Sequence, residues 1–286
     1  MTIINSVLQG KQPTGTKSIT ANGVYDVTDF ASADVQVPTT APTHYIEKTV
    51  DANGKLQNST NIINLNGATD VGQYVLYHAY YHNNTISGAI NLSSLTTISG
   101  FLACNAMFYS CTGLTSVDLS GLTTISSNSA CQYMFQGCTG LISANLSSLT
   151  TLSSSNACDS MFSACTSLTS VDLSSLTTVS GGSACKQMFY GCNVLTSVDL
   201  SSLTTVSGSN ACSQMFQSCP LLTTVYIGGT TAINFGTRTN QFSSMFSGCT
   251  QDIDVYAPAA NQAQIERFSG YPNFGGTGTV TWHWRS

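Results

Sequence analysis

Charged side chains are scarce in this sequence. Asp, Glu, Lys and Arg together make up 7% of its 286 residues, whereas about 25% is usual in soluble proteins. The chain holds eight Lys and Arg, carries a net charge of −5 and has no cluster of basic residues. A nucleic-acid-binding surface needs a patch of cations to displace counterions from phosphates. We therefore expect no nucleic-acid partner.

Long apolar runs are also missing, since no stretch reaches the roughly 18 residues that indicate a membrane-spanning helix. We therefore expect no insertion into a membrane. The first eleven residues show no basic stretch followed by an apolar one, and this pattern would mark a secretory signal. A secretory signal is therefore not expected either.

The motifs that commonly accompany catalysis are absent. The sequence contains no Gly-x-Ser-x-Gly, no phosphate-binding loop and no His-Glu-x-x-His. The four histidines are His44, His78, His82 and His283, and they lie towards the two ends of the chain. His78 and His82 are four residues apart and could together hold a metal ion, but no third ligand stands in register with them. We therefore predict no enzymatic activity, no cofactor and no metal site.

A Met-Phe pair recurs along the middle of the chain. Its first four steps are 27 residues long and the last is 30. A cysteine follows each Met by four positions, and a second cysteine precedes it by three in the first five units, which accounts for all eleven cysteines. The pairs begin at Met107, Met134, Met161, Met188, Met215 and Met245. A fixed period of this length indicates a solenoid, in which each coil buries its apolar face against its neighbours.

Each repeat has two halves with different apolar spacing. Residues 195–206 read Leu-x-x-Val-x-Leu-x-x-Leu-x-x-Val, and their alternation is typical of a short strand. Residues 212–219 read Cys-x-x-Met-Phe-x-x-Cys, a spacing that places four side chains on one face of a helix. We therefore predict an α/β solenoid of leucine-rich repeats with coils of about 27 residues, each with a short parallel strand and a helix. One repeat before Met107 lies Tyr80, which we take as the start of an eroded opening coil.

The repeat also suggests domain boundaries. Residues 80–250 form the predicted solenoid, residues 43–79 its N-terminal cap and residues 251–286 its C-terminal cap. Residues 1–42 form a small β module and a linker, because a strand, an Asn-Gly turn at Gly23 and a second strand are indicated there.

The strand segment followed by Met-Phe-x-x-Cys resembles the BspA-like class of bacterial leucine-rich repeats, which carry a similar Ala-Phe-x-x-Cys segment. The resemblance covers residues 80–250, and the stretches 253–258 and 264–268 look like the terminal cap of that class. The 27-residue period and the Ser-Ser-Leu-Thr-Thr turn depart from it. The resemblance implies the leucine-rich-repeat fold and a binding role, since repeats of this class serve adhesion and many other partnerships.

The string from Gly15 to Pro38 is similar to a short module in structural proteins of phages and prophages of gut bacteria. It reads Gly-Thr-Lys-x-Ile-Thr-Ala-Asn-Gly-x-Tyr-Asp-Val and, later, Ala-Asp-Val-x-Val-Pro. This resemblance implies that residues 1–42 attach the chain to other virion proteins.

The cysteines fit a structural role. On a helix, the two cysteines of one repeat would lie roughly 10 Å apart, beyond the about 7 Å between Cα atoms that a disulfide tolerates. Metal sites typically use more closely spaced cysteine pairs, and the odd total of eleven leaves at least one thiol unpaired. We therefore predict a ladder of buried, reduced thiols.

One column of polar residues, with serines beside it, is the candidate binding site. The residue between the Val and the Leu of each strand should point away from the core, onto the concave side of the solenoid. These candidates are Asn91, Asp118, Asn145, Asp172, Asp199 and Tyr226, flanked by Ser116, Ser143, Ser170 and Ser197. The polar, mildly acidic column suits a glycan or a protein partner. Duplication of the repeat explains the uniformity equally well, so both interpretations stay open.

These features predict a non-enzymatic binding protein. The leading hypothesis is a phage virion component of the tail-fibre or receptor-binding type, assembled in the host cytoplasm, that recognises a bacterial surface glycan or protein. Reduced cysteines suit assembly in the cytoplasm. The alternatives are a bacterial cell-surface adhesin and a structural virion or scaffold protein that binds another protein. A homo-oligomer is left open, although no coiled-coil heptad is present to build one.

Overall fold

The computed structural model describes residues 76–84 and 86–286, together with the backbone of four short strands nearer the N-terminus. These strands are β1 (Lys17–Ser18), β2 (Val24–Asp26), β3 (Val35–Gln36) and β4 (Tyr45–Glu47). β1 pairs with β3 and β2 with β4, both in parallel. The predicted hairpin would pair β1 with β2, but these two strands do not pair with each other. The remainder of the predicted β module, and most of the predicted N-terminal cap, lie outside the described residues.

From residue 86 onward the chain winds as a parallel solenoid with two strand ladders. The first ladder comprises β5 (Ser87–Asn91), β7 (Gly113–Asp118), β9 (Ser143–Asn145), β11 (Ser170–Asp172), β13 (Ser197–Leu200), β15 (Thr224–Ile227), β16 (Ile253–Pro258) and β17 (Val280–Arg285). The second comprises β6 (Thr97–Ile98), β8 (Thr124–Ile125), β10 (Thr151–Leu152), β12 (Thr178–Val179) and β14 (Thr205–Val206). Pairing in the first ladder is interrupted between β11 and β13. The predicted parallel solenoid with coils of about 27 residues is confirmed.

The core consists of columns, each built from the same residue of successive coils. The largest column is aromatic, with ring centroids 5.2 to 6.1 Å apart and nearly parallel planes. Its members are Tyr80, Phe108, Phe135, Phe162, Phe189, Phe216 and Phe246. The methionines beside these phenylalanines and all eleven cysteines are buried as well. The prediction that the Met-Phe pairs and the cysteines belong to the core is confirmed.

The predicted helix in each coil is wrong. Residues 102–111 instead form a turn segment, in which every second amide donates to the carbonyl three residues earlier, as Met107 does to Cys104 at 3.2 Å. The amides between them donate to the next coil, as Phe108 does to the carbonyl of Met134 at 2.8 Å. Among the described residues, the sole α-helix is α1 (Gln262–Ile265), which follows a short 3₁₀ turn at Ala259–Asn261.

Every fourth residue of a turn segment has left-handed backbone. In one coil, φ is 54° at Leu102, 49° at Ala106 and 55° at Ser110. This four-residue period turns two side chains inward and the next two outward, so Cys-x-x-Met-Phe-x-x-Cys fits it as well as it fits the 3.6-residue period of an α-helix. The apolar spacing therefore does not distinguish the two backbones. The hydrogen bonds between coils favour the turns.

Polar side chains and thiols join successive coils. The Thr150 hydroxyl donates to the Thr123 carbonyl, one coil earlier, at 3.0 Å. The Cys138 thiol donates to the Phe108 carbonyl, also at 3.0 Å. The threonine contact recurs at Thr123, Thr177 and Thr204, and the thiol contact at Cys111, Cys165, Cys192, Cys219 and Cys249. The first threonine of each Thr-Thr and the second cysteine of each repeat thus have a structural role.

The opening coil of the solenoid differs from the predicted alignment. Tyr80 stacks on Phe108 with ring centroids 5.2 Å apart, so it corresponds to Phe108 rather than to Met107. The opening coil is already present at Leu76, whose amide donates to the carbonyl of Ala103. At the other end, β16 and β17 extend the first ladder, so the predicted C-terminal cap continues the sheet.

Gly191→Ala tests the cost of the left-handed positions. Gly191 has a φ of +68°, and an added Cβ would come no closer than 3.9 Å to Ala164, so backbone strain is the main effect. We expect the free energy of unfolding to fall by about 1 kcal/mol, measured by urea denaturation. Gly182→Ala is the matched control, because Gly182 lacks a positive φ and its Cβ would make only ordinary contacts. An equal loss of stability in both variants would contradict this account.

Candidate functional site

The outward side chains of the first ladder, from β5 to β17, form the groove face. Over its first five strands they line a groove of about 810 Å³. Eight of the ten predicted residues line it: Asn91, Ser116, Asp118, Ser143, Asn145, Ser170, Asp172 and Asp199. The other two, Ser197 and Tyr226, lie on β13 and β15 of the same ladder. In-register pairing therefore brings the predicted column together on one surface.

The aspartate and asparagine column has a structural role. The Asp118 side chain accepts a hydrogen bond from the Ser120 amide, two residues on, at 3.0 Å. This Asx turn closes the chain reversal after the strand. The same bond, at 2.8 to 3.1 Å, is made by Asn91, Asn145, Asp172 and Asp199. At Tyr226, which cannot form it, the turn contains Gly228 with a φ of +69°.

The Asx turns leave part of each side chain for a ligand. Each bond uses one oxygen, so the turn does not use the second carboxylate oxygen of Asp118, Asp172 and Asp199 or the amide nitrogen of an asparagine. The serine column beside it is half-buried to exposed. The coils of Asp118, Asn145, Asp172 and Asp199 therefore each offer an acceptor or donor and a serine hydroxyl, whereas the coil of Asn91 has Ala89 in the serine column.

Charge alternates along this column until its fourth member. Asn91, Asp118, Asn145 and Asp172 pair in register, so Asp118 has neutral neighbours. Asp172 and Asp199 then occupy the same position in successive coils, both exposed. Like charges directly opposite each other destabilise strand pairing. The interruption of the ladder lies at this junction, between β11 and β13.

The sequence prediction missed the last two members of the column. Tyr226 pairs with Tyr256, and Tyr256 with His283, and their rings stack with centroids 4.8 and 4.6 Å apart. His283 Nε2 lies 2.7 Å from the Asp254 carboxylate. The alternating sequence of β16 and β17 was the available signal, but both strands had been assigned to a cap.

The two histidines considered as possible metal ligands pack against aromatic rings. The His78 ring stacks on Tyr77 and Tyr81, while His82 packs edge-on against Tyr81 and Tyr109. Among the described residues, no three His, Cys, Asp or Glu side chains converge as metal ligands. The same residues contain no candidate for a membrane-spanning helix.

The thiols are poor nucleophiles. Burial raises the pKa of Cys219 to about 12, and it raises the pKa of Cys158 as well. The thiolate, which is the reactive form, is therefore scarce at neutral pH. This suits a core residue rather than a redox site.

The parallel ladders, the stacked aromatic column and the repeated coils define a leucine-rich-repeat solenoid protein. A family model described as "BspA type Leucine rich repeat region (6 copies)" matches residues 52–154, 77–207 and 105–252. The chain therefore belongs to the BspA-type leucine-rich-repeat family.

Among solved structures, the chain is similar to a leucine-rich repeat protein from Bacteroides ovatus ATCC 8483, with 16% sequence identity and a TM-score of 0.46. The match covers 89% of this chain and 66% of that one, so this chain spans less than two thirds of that protein's length. No curated protein matches the sequence.

Asp118→Ala tests the structural role of the Asx column. Alanine leaves the Ser120 amide without its acceptor, so we expect the free energy of unfolding to fall by about 1 kcal/mol. Asp118→Asn keeps the acceptor oxygen, as Asn91 and Asn145 do, and should leave stability unchanged. Urea denaturation of both variants measures the difference. The assignment fails if asparagine destabilises the protein as much as alanine does.

Asp199→Asn tests repulsion between neighbouring carboxylates. Removing one charge beside Asp172 should raise the free energy of unfolding by a few tenths of a kcal/mol at low salt. The gain should shrink at 1 M salt, where screening acts over about 3 Å. Asp118→Asn, with neutral neighbours on both sides, provides the matched control and should show no gain. A salt-independent effect, or the same effect in both variants, would contradict repulsion.

Proposed function

We propose that the chain is a non-enzymatic binding protein whose groove face recognises a glycan of a bacterial surface. The observation that carries this is the row of hydrogen-bonding groups left in the groove after the Asx turns have formed. Successive coils repeat these groups about every 4.8 Å. An extended sugar chain presents hydroxyl groups at regular intervals, and such a row can bind them.

A protein partner is the weaker candidate for the groove itself. Protein interfaces are enriched in aromatic residues and Arg and depleted in Ser and Asp, whereas Ser, Asn and Asp make up most of this lining. A polar, hydrated groove suits a hydroxyl-rich ligand, because each displaced water is replaced by an equivalent hydrogen bond. We therefore place a surface glycan first and a protein receptor second.

The biological setting is a separate part of the proposal. The setting we favour is a phage virion, in which this chain is a component of the tail-fibre or receptor-binding type and residues 1–42 attach it to other virion proteins. Its support is the similarity of the string from Gly15 to Pro38 to phage modules. The alternative is the bacterial cell surface, with which membership of the BspA-type family is equally compatible.

Asp172→Asn should weaken glycan binding while the fold is kept. The asparagine retains the acceptor of the Asx turn, as Asn145 does one coil earlier, but removes a charge from the groove. Loss of one charge-assisted hydrogen bond should weaken binding by about tenfold. The measurement is a titration of wild-type and variant protein against intact cells of gut bacteria and their isolated surface polysaccharides.

Glu266→Gln is the matched control, because it removes one exposed negative charge at the end of α1, away from the groove lining. It should bind like the wild type. Equal binding by Asp172→Asn and the wild type would show that the groove is not the recognition surface. Failure to bind any cell or polysaccharide would overturn the proposed function.

A further inference from the structure

Arg285 is fixed over the aromatic end of the groove face. Its Nη2 donates to the Gly228 carbonyl at 2.7 Å and its Nε to the Gly229 carbonyl at 3.4 Å. Its guanidinium carbon lies 5.7 Å from the centre of the Tyr226 ring, within cation–π distance. The side chain thus reaches from β17 back past β16, and the carbonyls and the ring restrict its orientation.

The charge of Arg285 has no carboxylate partner in the described part of the chain, where the one carboxylate in contact with a basic side chain is Asp254, beside His283. A guanidinium carries five N–H donors, and the two carbonyls leave three of them for other acceptors. A half-buried positive charge with three further donors therefore remains beside Tyr226, whose ring stacks on that of Tyr256. Arg in a fixed orientation is well suited to paired recognition of carboxylate or phosphate oxygens.

Continuation of the solenoid does not account for this arrangement. The turn that Arg285 contacts, at Gly228, follows β15. In the five preceding coils the equivalent turn is closed by an Asx side chain and no cation. Those turns form without an arginine, so a cation is not part of the repeat and Arg285 is a departure from it.

We propose that the C-terminal end of the groove face is an anion-binding subsite for an acidic sugar. The carboxylate or phosphate of the sugar pairs with Arg285, and its ring packs beside Tyr226 and Tyr256. This subsite rests on the proposed glycan-binding function and adds to it the direction in which the sugar chain lies along the groove face. Neutral sugar units lie along the column that contains Asp172 and Asp199, which repels anions, and the acidic unit lies at Arg285.

The test is an NMR titration of the full chain, observed at the Arg285 Nε–H, with four separate probes. Methyl glucuronide supplies a carboxylate, glucose 6-phosphate a phosphate, methyl glucoside the neutral sugar and inorganic phosphate an anion without a ring. We expect an acidic sugar to shift the resonance saturably, with a dissociation constant about tenfold below that of methyl glucoside. Comparison of the two acidic sugars identifies the preferred anion.

Two variants distinguish specific pairing of the ligand with the Arg285 guanidinium from a general effect of positive charge. Binding to these variants is measured from the NMR resonances of the ligand. Arg285→Lys keeps the charge but loses the planar fork, so the preference for the acidic sugar should fall to about twofold or less. Arg267→Gln removes an exposed cation beyond α1 and should keep the full preference. Thermal unfolding of both variants confirms that the fold is retained.

Equal affinity for methyl glucoside and both acidic sugars would overturn the subsite, because charge would then not be recognised. Inorganic phosphate binding as tightly as glucose 6-phosphate would overturn it too, because the sugar ring would not contribute. A titration in which no probe shifts the Arg285 resonance also overturns it. None of these results decides the proposed function, which Asp172→Asn tests in the groove.

Discussion

The fold depends on main-chain hydrogen bonds between successive coils. In the turn segments every second amide donates to the neighbouring coil, and the two strand ladders add parallel pairing along the rest of each coil. A coil without neighbours would leave these groups unpaired, at about 1–3 kcal/mol for each one that is buried. The backbone therefore imposes stacking at a fixed rise, and every side chain has to be compatible with it.

A fixed rise explains why residues recur in columns. Equivalent side chains lie about 4.8 Å apart, so a residue can repeat only if it tolerates a copy of itself on either side. Flat rings stack, while thiols and threonine hydroxyls reach a carbonyl of the adjacent coil. Carboxylates tolerate such neighbours poorly, which fits the 7% of charged residues and the alternation of Asn with Asp between Asn91 and Asp172.

The parts of this structure that could be predicted are those that any stacked coil must have. The period, the strand half and the buried Met-Phe pairs follow from apolar spacing, and alternation along a strand located the groove residues. The backbone of the turn segment could not be predicted, because periods of four and 3.6 residues bury the same positions. The Asx turns could not be predicted either, because each depends on the position of the backbone amide two residues later in the chain. Tyr256 and His283 were not assigned to the column, because an insertion lengthens the last repeat and the Met-Phe pair does not recur after Phe246.

If stacking accounts for the uniform columns, their uniformity is weak evidence of selection for a ligand, and the departures from the repeat become more informative. On the groove face they collect at one end: the Asx column gives way to Tyr226, Gly228 takes over the turn, and Arg285 reaches back across the sheet. The five preceding coils stack without any of these features. In a uniform groove, a repetitive ligand can bind in several registers with equivalent contacts. An irregular end makes these registers unequal, because only one of them brings the end of the ligand to the arginine.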